Sequence, residues 1–313
     1  MRYPSNKSIN LNQTFYSNGK LLITGEYLVL HGAKAFALPT KFGQTLTIQP
    51  ATNQQITWTS HDHDNTIWFQ ATITFDSIKT NTQTTPDPKT NTLIQILNQA
   101  YLQNPNFIDN FEGYNITTNL TFPKSWGLGT SSTLINNIAL WLQIDPYKLL
   151  QNTFGGSGYD IASAQNKTPI RYQLINGKPH TQTLNFNPEF ANNLYFVYLN
   201  KKQSSKAAIE AFANKNNDIA HLIPIIDSIT ESTINAPNLT TFASQLQKHE
   251  NLMSEILQIK TVHQTLFPDF PGTIKSLGAW GGDFILAIST INPTNYFEEK
   301  GYKTMIPYKD MIL

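Results

Sequence analysis

The residues best suited to chemistry fall in four short glycine-bearing segments. The most informative is Pro123-Lys124-Ser125-Trp126-Gly127-Leu128-Gly129-Thr130-Ser131-Ser132. Two glycines flank one apolar residue, three hydroxyl side chains follow, and an amphipathic run begins. Glycine allows close backbone approach and φ > 0. The N–H groups of a helix's first turn, with the helix dipole behind them, favour an anion. The ligand this order implies is a phosphate. A plain glycine turn before a capped helix gives the same pattern, and on this segment alone both readings stay open. No Lys-Ser or Lys-Thr follows the second glycine, so the segment is not a Walker A loop.

A second cluster, Gly155-Gly156-Ser157-Gly158-Tyr159-Asp160-Ile161-Ala162, ends on an acid. Asp160 falls where a short helix would start, and N–H groups and the dipole hold a carboxylate there. It is either an ordinary first-turn aspartate or a general base that accepts or orients a hydroxyl proton during phosphoryl transfer. A third cluster, Lys275-Ser276-Leu277-Gly278-Ala279-Trp280-Gly281-Gly282-Asp283, reads by itself as a tight turn before a strand. Near the N-terminus, Asn18-Gly19-Lys20 precedes an apolar stretch and Gly25-Glu26-Tyr27 follows it. Lys20 is either a surface lysine, as most lysines are, or the positive charge that a transferring phosphoryl group needs. His61-Asp62-His63-Asp64 looks metal-binding, but side chains alternate along an extended tip, so it is read as a solvated hairpin end.

These segments need elements to hold them. Apolar alternation predicts strands at residues 20–24, 26–30, 45–49, 55–59 and 67–73, and another at 114–122 that leads into the first glycine loop. Residues 80–90 read as a polar loop and 92–102 as a helix. Leu134, Ile135, Ile138, Ala139 and Leu142 fall at helical spacing, with Thr130, Ser131 and Ser132 where N-caps belong. Asp145-Pro146 opens a further helix that ends at Gly155-Gly156. Farther on, residues 194–199 and 284–288 read as buried strands, and 204–213 and 239–257 as helices. Strands followed by helices, twice over, predict an α+β protein of two lobes with a boundary between residues 169 and 178.

Composition narrows the function. The chain has 313 residues and a net charge of +1, from 22 basic and 21 acidic side chains. That leaves no broad footprint for nucleic acid or an anionic membrane, and Arg2 and Arg171 are the only arginines. Cysteine is absent, which excludes disulfides, thiolate metal sites and cysteine catalysis and fits a cytoplasmic protein. The N-terminal residues form no apolar signal core, and no apolar run reaches the length of a membrane span. The expected partner is a small-molecule substrate, with no nucleic acid and no membrane; a homodimer stays open.

Taken together, the four segments resemble the GHMP kinase superfamily, which includes galactokinase, homoserine kinase, mevalonate kinase and phosphomevalonate kinase. Its first motif is similar to residues 18–33, with Asn18 where proline is usual. Its second is similar to Pro123 through Ser131, with Thr130 at a common serine position. Its third is similar to Lys275 through Asp283, with Trp280 at a glycine position. Gly158-Tyr159-Asp160-Ile161-Ala162 resembles the segment that holds the family's catalytic aspartate. The resemblance spans nearly the whole chain and is nearest to the mevalonate and phosphomevalonate branch, in particular a bacterial subgroup with this Gly-Tyr-Asp-Ile-Ala run.

The resemblance implies an N-terminal lobe like ribosomal protein S5 domain 2 over residues 1–172 and a ferredoxin-like C-terminal lobe over 173–313. It implies ATP, with Pro123, Gly127, Leu128, Gly129, Thr130, Ser131 and Ser132 around the nucleotide, and Mg²⁺ near Ser131. Asp160 and Lys20 become the catalytic pair. Glu26, His31, Ser157, Lys201, Lys206, Gly281 and Gly282 become acceptor-binding candidates. The family's metal-holding glutamate is missing from the helix at residues 147–152, so the ion must rest on phosphate oxygens, Ser131 and water, with Asp160 as a further candidate. A hydroxyl acceptor such as mevalonate benefits from a base, whereas a phosphate acceptor such as phosphomevalonate needs cations, which the lysines at 201, 202 and 206 could supply. Two other readings stay open: an ATP-dependent lyase like diphosphomevalonate decarboxylase, and a non-catalytic nucleotide-binding protein.

Overall fold

The computed structural model describes residues 12–83, 85–202, 208–210, 212 and 219–313. Among these the protein is α+β, with two sheets. The chain divides into two units, one of residues 1–17, 44–121 and 134–155, the other of residues 18–43, 122–133 and 156–313. Strands β1 (Gln13–Thr24) and β2 (Ala35–Pro50) pair with each other and run from one unit into the other, as does helix α4 (Thr130–Leu142).

In the first unit β3 (Gln55–His61) lies between β4 (Ile67–Thr74), antiparallel, and β5 (Tyr114–Leu120), parallel; β5 pairs antiparallel with residues 44–50 of β2. Alternate residues of β3 and β5 are buried, which is the period-2 signature the sequence carries. The β3–β4 tip closes on Asp62 and Asp64, whose neighbours are hydrogen-bonded within the turn: Asp64 accepts from the Thr66 N–H at 3.0 Å. Among the described residues no group of three or more His, Asp or Glu is placed to hold a metal ion.

Helix α5 (Pro146–Gln151) starts as its Asp145-Pro146 signal predicts, with the Asp145 carboxylate accepting from the N–H groups of Tyr147 and Lys148. It stops four residues short of the expected Gly155. The N–H groups of Thr153, Phe154 and Gly155 all turn back to the single carbonyl of Leu150, at 3.1, 2.9 and 2.9 Å. That convergence winds the chain off the helix before the glycines are reached.

In the second unit β6 (Ile170–Ile175) pairs with residues 35–37 of β2 and with β7 (Lys178–Thr183). Helix α6 (Tyr159–Gln165) covers them through Ala162, in a core with Leu22, Val29, Ala37, Ile170 and Tyr172. The second sheet is antiparallel throughout, in the order β11 (Met305–Pro307), β8 (Leu194–Tyr198), β10 (Phe284–Ile288), β9 (Thr273–Ser276). Every residue of β10 is buried, as a central strand of continuous apolar residues requires. The helix Leu239–Leu257 begins at Asn238, whose side chain accepts from the Thr241 N–H. Residues 208–210 and 212 are helical; the rest of the helix expected at 204–213 lies outside the described residues.

One expected strand is absent. Residues 26–30 do not extend but turn into a 3-10 helix, Leu28–His31, framed by Gly25 at φ 92° and Gly32 at φ 90°. Tyr27 itself sits at φ 59°. Two glycines free to adopt positive φ override the β-preference of Tyr, Leu and Val between them. The consequence is functional: the turn buries Glu26 instead of alternating it to a surface.

Candidate functional site

The residues brought together by the fold belong to the second unit. Helix α4 starts at Thr130, so Gly129 occupies its N-cap position, and the hydroxyls of Thr130, Ser131 and Ser132 line the first turn rather than capping it. Gly129 offers no side-chain oxygen to the orphan N–H groups, which is the arrangement that suits an external anion. Its carbonyl does the inward work, accepting from the Thr133 N–H at 3.0 Å and the Ser132 hydroxyl at 2.8 Å. Gly127 at φ 69° and Gly129 at φ 96° both hold left-handed backbone. A Cβ on Gly129 would stand 2.8 Å from the Ser132 hydroxyl and 3.3 Å from the Lys20 Cε, so the loop is shaped by what it must leave open.

Lys20, on β1, is fastened to this loop twice. Its backbone N–H donates to the Leu128 carbonyl at 3.0 Å, and its ammonium donates to the Gly127 carbonyl at 3.2 Å. The ammonium also stands 5.9 Å from the centre of the Tyr159 ring. Burial pushes the Lys20 ammonium down from its ordinary range, while the negative charges of Asp160 and Asp283 pull it back up. The cation is thus retained by carboxylates that were drawn into the same place.

Asp160 is the second residue of α6, and Gly158, at φ 87°, is that helix's N-cap. Its Oδ1 accepts from the Ile161 N–H at 3.0 Å. Burial pushes the Asp160 carboxyl up; the Lys20 charge, the N–H groups of Ile161 and Asp160 and the Ser132 hydroxyl oppose it. A partly buried carboxylate in the field of a partly buried ammonium is a proton acceptor poised above the ordinary carboxylate range.

The other site candidates are distributed less evenly. Pro123 opens the 3-10 turn Lys124–Trp126 ahead of Gly127, and Leu128 is buried. Ser131 is exposed on the first turn of α4, and Ser132 is buried against Gly129. Ser157 is buried and its carbonyl accepts from the Tyr172 hydroxyl. His31 is exposed at the end of its 3-10 helix, with its ring 6.2 Å from that of Phe212. Lys201 is exposed, and its carbonyl accepts from the Asp283 N–H at 2.6 Å. Gly281 is exposed and Gly282 buried in the turn before β10. Lys206 lies outside the described residues. Lys34, the residue after the first motif, is held by Glu231 at 2.7 Å.

Glu26 is set apart from this group. It is 1% exposed and ion-paired to Lys275 at 2.5 Å. His249 and Glu250 from the helix Leu239–Leu257 complete a buried polar cluster, 3.2 Å from Glu26 and 3.5 Å from Lys275 respectively. His249 Nε2 also accepts from the Gly25 N–H at 3.0 Å, and Glu250 accepts from the hydroxyl and N–H of Ser276. Sequence reasoning missed His249, Glu250 and the role of Lys275. The one available signal was that His249 and Glu250 fall on the apolar stripe of Phe242, Leu246 and Met253.

ATP and Mg²⁺ can be tested against these residues. The glycine loop, the first turn of α4 and the Lys20 ammonium fit a polyphosphate. Among the described residues no group of three or more His, Asp or Glu is placed to hold a metal ion, and Ser131 offers a single exposed hydroxyl on the first turn of α4.

No protein-family model and no curated protein sequence matches the chain. Solved structures do match it in fold. A mevalonate kinase from Methanococcus jannaschii superposes with a TM-score of 0.68 at 17% identity, over 95% of this chain and 97% of that one. A Streptococcus pneumoniae phosphomevalonate kinase in complex with phosphomevalonate and AMPPNP gives 0.70 at 14%, over 94% and 99%. A Lactococcus lactis galactokinase complexed with galactose gives 0.66 at 12%, over 94% and 92%. The chain has the fold these kinases share, over nearly its whole length.

Proposed function

We propose that the protein is an ATP-dependent small-molecule kinase of the GHMP type, transferring the γ-phosphoryl group to mevalonate or phosphomevalonate. The observation that carries the reading is Lys20, bonded by backbone and ammonium to a glycine loop at a helix N-terminus, with the half-buried Asp160 carboxylate acting on the same charge. Four separated segments of sequence converge on the parts of a phosphoryl-transfer site, and the fold is one that such kinases use.

With a hydroxyl acceptor, Asp160 takes the proton as the acceptor oxygen bonds to the γ-phosphorus. The bond from that phosphorus to the β,γ-bridging oxygen breaks, ADP leaves with the electron pair, and Asp160 later passes its proton to solvent. With a phosphate acceptor the attacking oxygen is already anionic, and cationic contacts replace the base. Lys20 offsets the charge of the transferring group in either case, and the loop's N–H groups hold the rest of the chain of phosphates. Positioning and electrostatics then supply most of the acceleration. Mg²⁺, held by Ser131 and phosphate oxygens, would neutralise charge on the β- and γ-phosphates.

A coupled ADP-release assay with mevalonate, phosphomevalonate, galactose and homoserine tests the proposal. Acceptor-dependent ADP without CO₂ from one of the first two is expected. No ADP with any acceptor sinks the kinase reading, and CO₂ released with ADP when diphosphomevalonate is added to the panel replaces it by a decarboxylase.

A further inference from the structure

None of Glu26, His249, Glu250 and Lys275 is more than 1% exposed, and their geometry fixes where one proton must lie. The Gly25 N–H donates to His249 Nε2 at 3.0 Å, and a backbone amide can only donate. Nε2 therefore presents a lone pair, and the ring proton sits on Nδ1. Glu26 Oε2 stands 3.2 Å from that same Nε2, and no donor among the described residues reaches it. Two lone pairs at this separation repel unless a proton lies between them. The charge count points the same way. Lys275 lies 2.5 Å from Glu26 Oε1 and 3.5 Å from Glu250 Oε2, one ammonium against two carboxyl groups. Leaving a net charge buried among them is costly. Glu250 already accepts from the hydroxyl and the N–H of Ser276, at 2.6 and 3.1 Å, so the extra proton belongs on Glu26.

We propose that Glu26 is held as a neutral carboxylic acid that donates from Oε2 to His249 Nε2, and that this proton latches the first-motif turn to the helix Leu239–Leu257. In the latched state Nε2 accepts from both the Gly25 N–H and the Glu26 O–H, Oε1 accepts from Lys275, and Glu250 balances the ammonium. The latch acts on a strained segment. Tyr27 has φ 59° and ψ −47°, and the Leu28 N–H donates across it to the Glu26 carbonyl at 2.6 Å. That is a γ-turn of the rare, strained form, which persists only where its surroundings hold it. His249 holds it through the Gly25 N–H and the Glu26 side chain together. The Tyr27 hydroxyl donates to the Ala279 carbonyl at 3.0 Å, so the third glycine cluster is tied to the same turn.

Burial raises the Glu26 carboxyl to about 7, while burial and the Lys275 charge hold His249 well below its ordinary range, so the acid and not the imidazole takes the proton. The groups facing Glu26 are Lys275 from β9 and His249 and Glu250 from the helix Leu239–Leu257; Tyr27 beside it and Tyr159 on α6 also feel its charge. As pH rises through about 7 the proton leaves for solvent. The carboxylate then needs a donor, which the imidazole supplies by exchanging its Nδ1 proton for one on Nε2. That exchange strips the Gly25 N–H of its acceptor. The latch is closed below the transition and open above it.

Infrared difference spectra of the full-length protein, wild type minus Glu26→Gln, read the acid directly without nucleotide or acceptor. A carboxylic-acid C=O band should be present at about pH 6, shift in heavy water, and fade as pH passes about 7. Absence of that band at the lower pH overturns the proposal. Should Glu26→Gln not fold, nitrogen NMR of the His249 ring in the wild type decides the matter. A protonated Nδ1 with bare Nε2 is expected below the transition and a protonated Nε2 above it. A protonated Nε2 on the acid side overturns the latch, and so does a ring that keeps one tautomer throughout. A plain ion pair between Glu26 and Lys275 would give neither signature. Neither readout involves turnover, so the latch stands or falls separately from the kinase reading.

Discussion

Glu26 and Lys275 form an ion pair at 2.5 Å with neither side chain more than 1% exposed. Residues 249 positions apart in sequence thereby tie the turn after β1 to the end of β9. Removing one partner strands the other charge in the core, so Lys275→Met should destabilise the protein by roughly 3–5 kcal/mol, read as the shift in urea midpoint. Replacing Glu26 by Gln tests the pH behaviour. Burial, only partly offset by Lys275, pushes the Glu26 carboxyl up from 4.5 to about 7. Folded protein then binds the Glu26 proton more tightly than unfolded protein does. The associated stability is fully present below pH 4.5 and is lost as pH rises through about 7, a change on the order of 3 kcal/mol. Buried His249, held well below its ordinary value by burial, slopes the other way below 6.5. The difference between wild type and Glu26→Gln cancels the histidine, and it should favour wild type progressively less from pH 5 to pH 7.5. A difference that stays flat over that range would show that Glu26 is not the titrating group.

Asp160→Asn should lower turnover by a factor on the order of 10² to 10⁴ if the carboxylate takes the acceptor's proton. Burial raises this carboxyl above its ordinary 3.8, so the acid limb of kcat/KM should lie above that value and disappear in the variant. Steady-state kinetics with mevalonate as acceptor measure both. Full turnover with an unaltered acid limb would remove Asp160 from the mechanism.

Gly127→Ala should abolish tight nucleotide binding. The residue sits at φ 69°, where a Cβ is strained, and that Cβ would stand 2.4 Å from the Asp283 carboxylate. Either the loop shifts off the Lys20 ammonium or Asp283 leaves its anchor, and both outcomes open the cradle. Titration calorimetry with AMPPNP should show at least a tenfold loss, about 1.4 kcal/mol. Retention of wild-type affinity would mean that Gly127 is not part of the nucleotide site.

How much of this was legible in sequence depends on whether the signal was local. The glycine loop, α4 and the helix Leu239–Leu257 could be read because apolar periodicity, caps and glycines lie within one window. Asp160 on a helix's first turn was visible for the same reason. The 3-10 turn at Leu28–His31 was misread because Tyr27, Leu28 and Val29 favour strand, and only the positive φ of the flanking glycines breaks it. The buried cluster of Glu26, His249, Glu250 and Lys275 was not legible at all. Its members come from three distant segments, and a charged residue on an apolar stripe shows its meaning only when its partner is found. Asp283 was quoted as the end of a glycine turn, yet what matters is the residue it faces, 156 positions earlier, and no spacing rule reaches that far.

Trp280 stands where the resembling family prefers glycine, and two effects of opposite sign decide what restoring glycine would do. The residue has φ 59°, a left-handed conformation that costs an ordinary side chain about 1–2 kcal/mol. Glycine would relieve that strain. Against it, the ring is only 3% exposed and packs in a core with Tyr27, Phe212, Met253 and Ile256, while standing 5.7 Å from the Lys275 ammonium. Deleting a buried tryptophan typically costs about 3–5 kcal/mol, and the lost cation–π contact adds to it. Burial wins, so Trp280→Gly should be destabilised by roughly 1–4 kcal/mol, the balance of those two magnitudes. Thermal unfolding followed by circular dichroism measures it. A more stable variant would mean that the strained turn dominates and that Trp280 is kept for the site's chemistry rather than for the core.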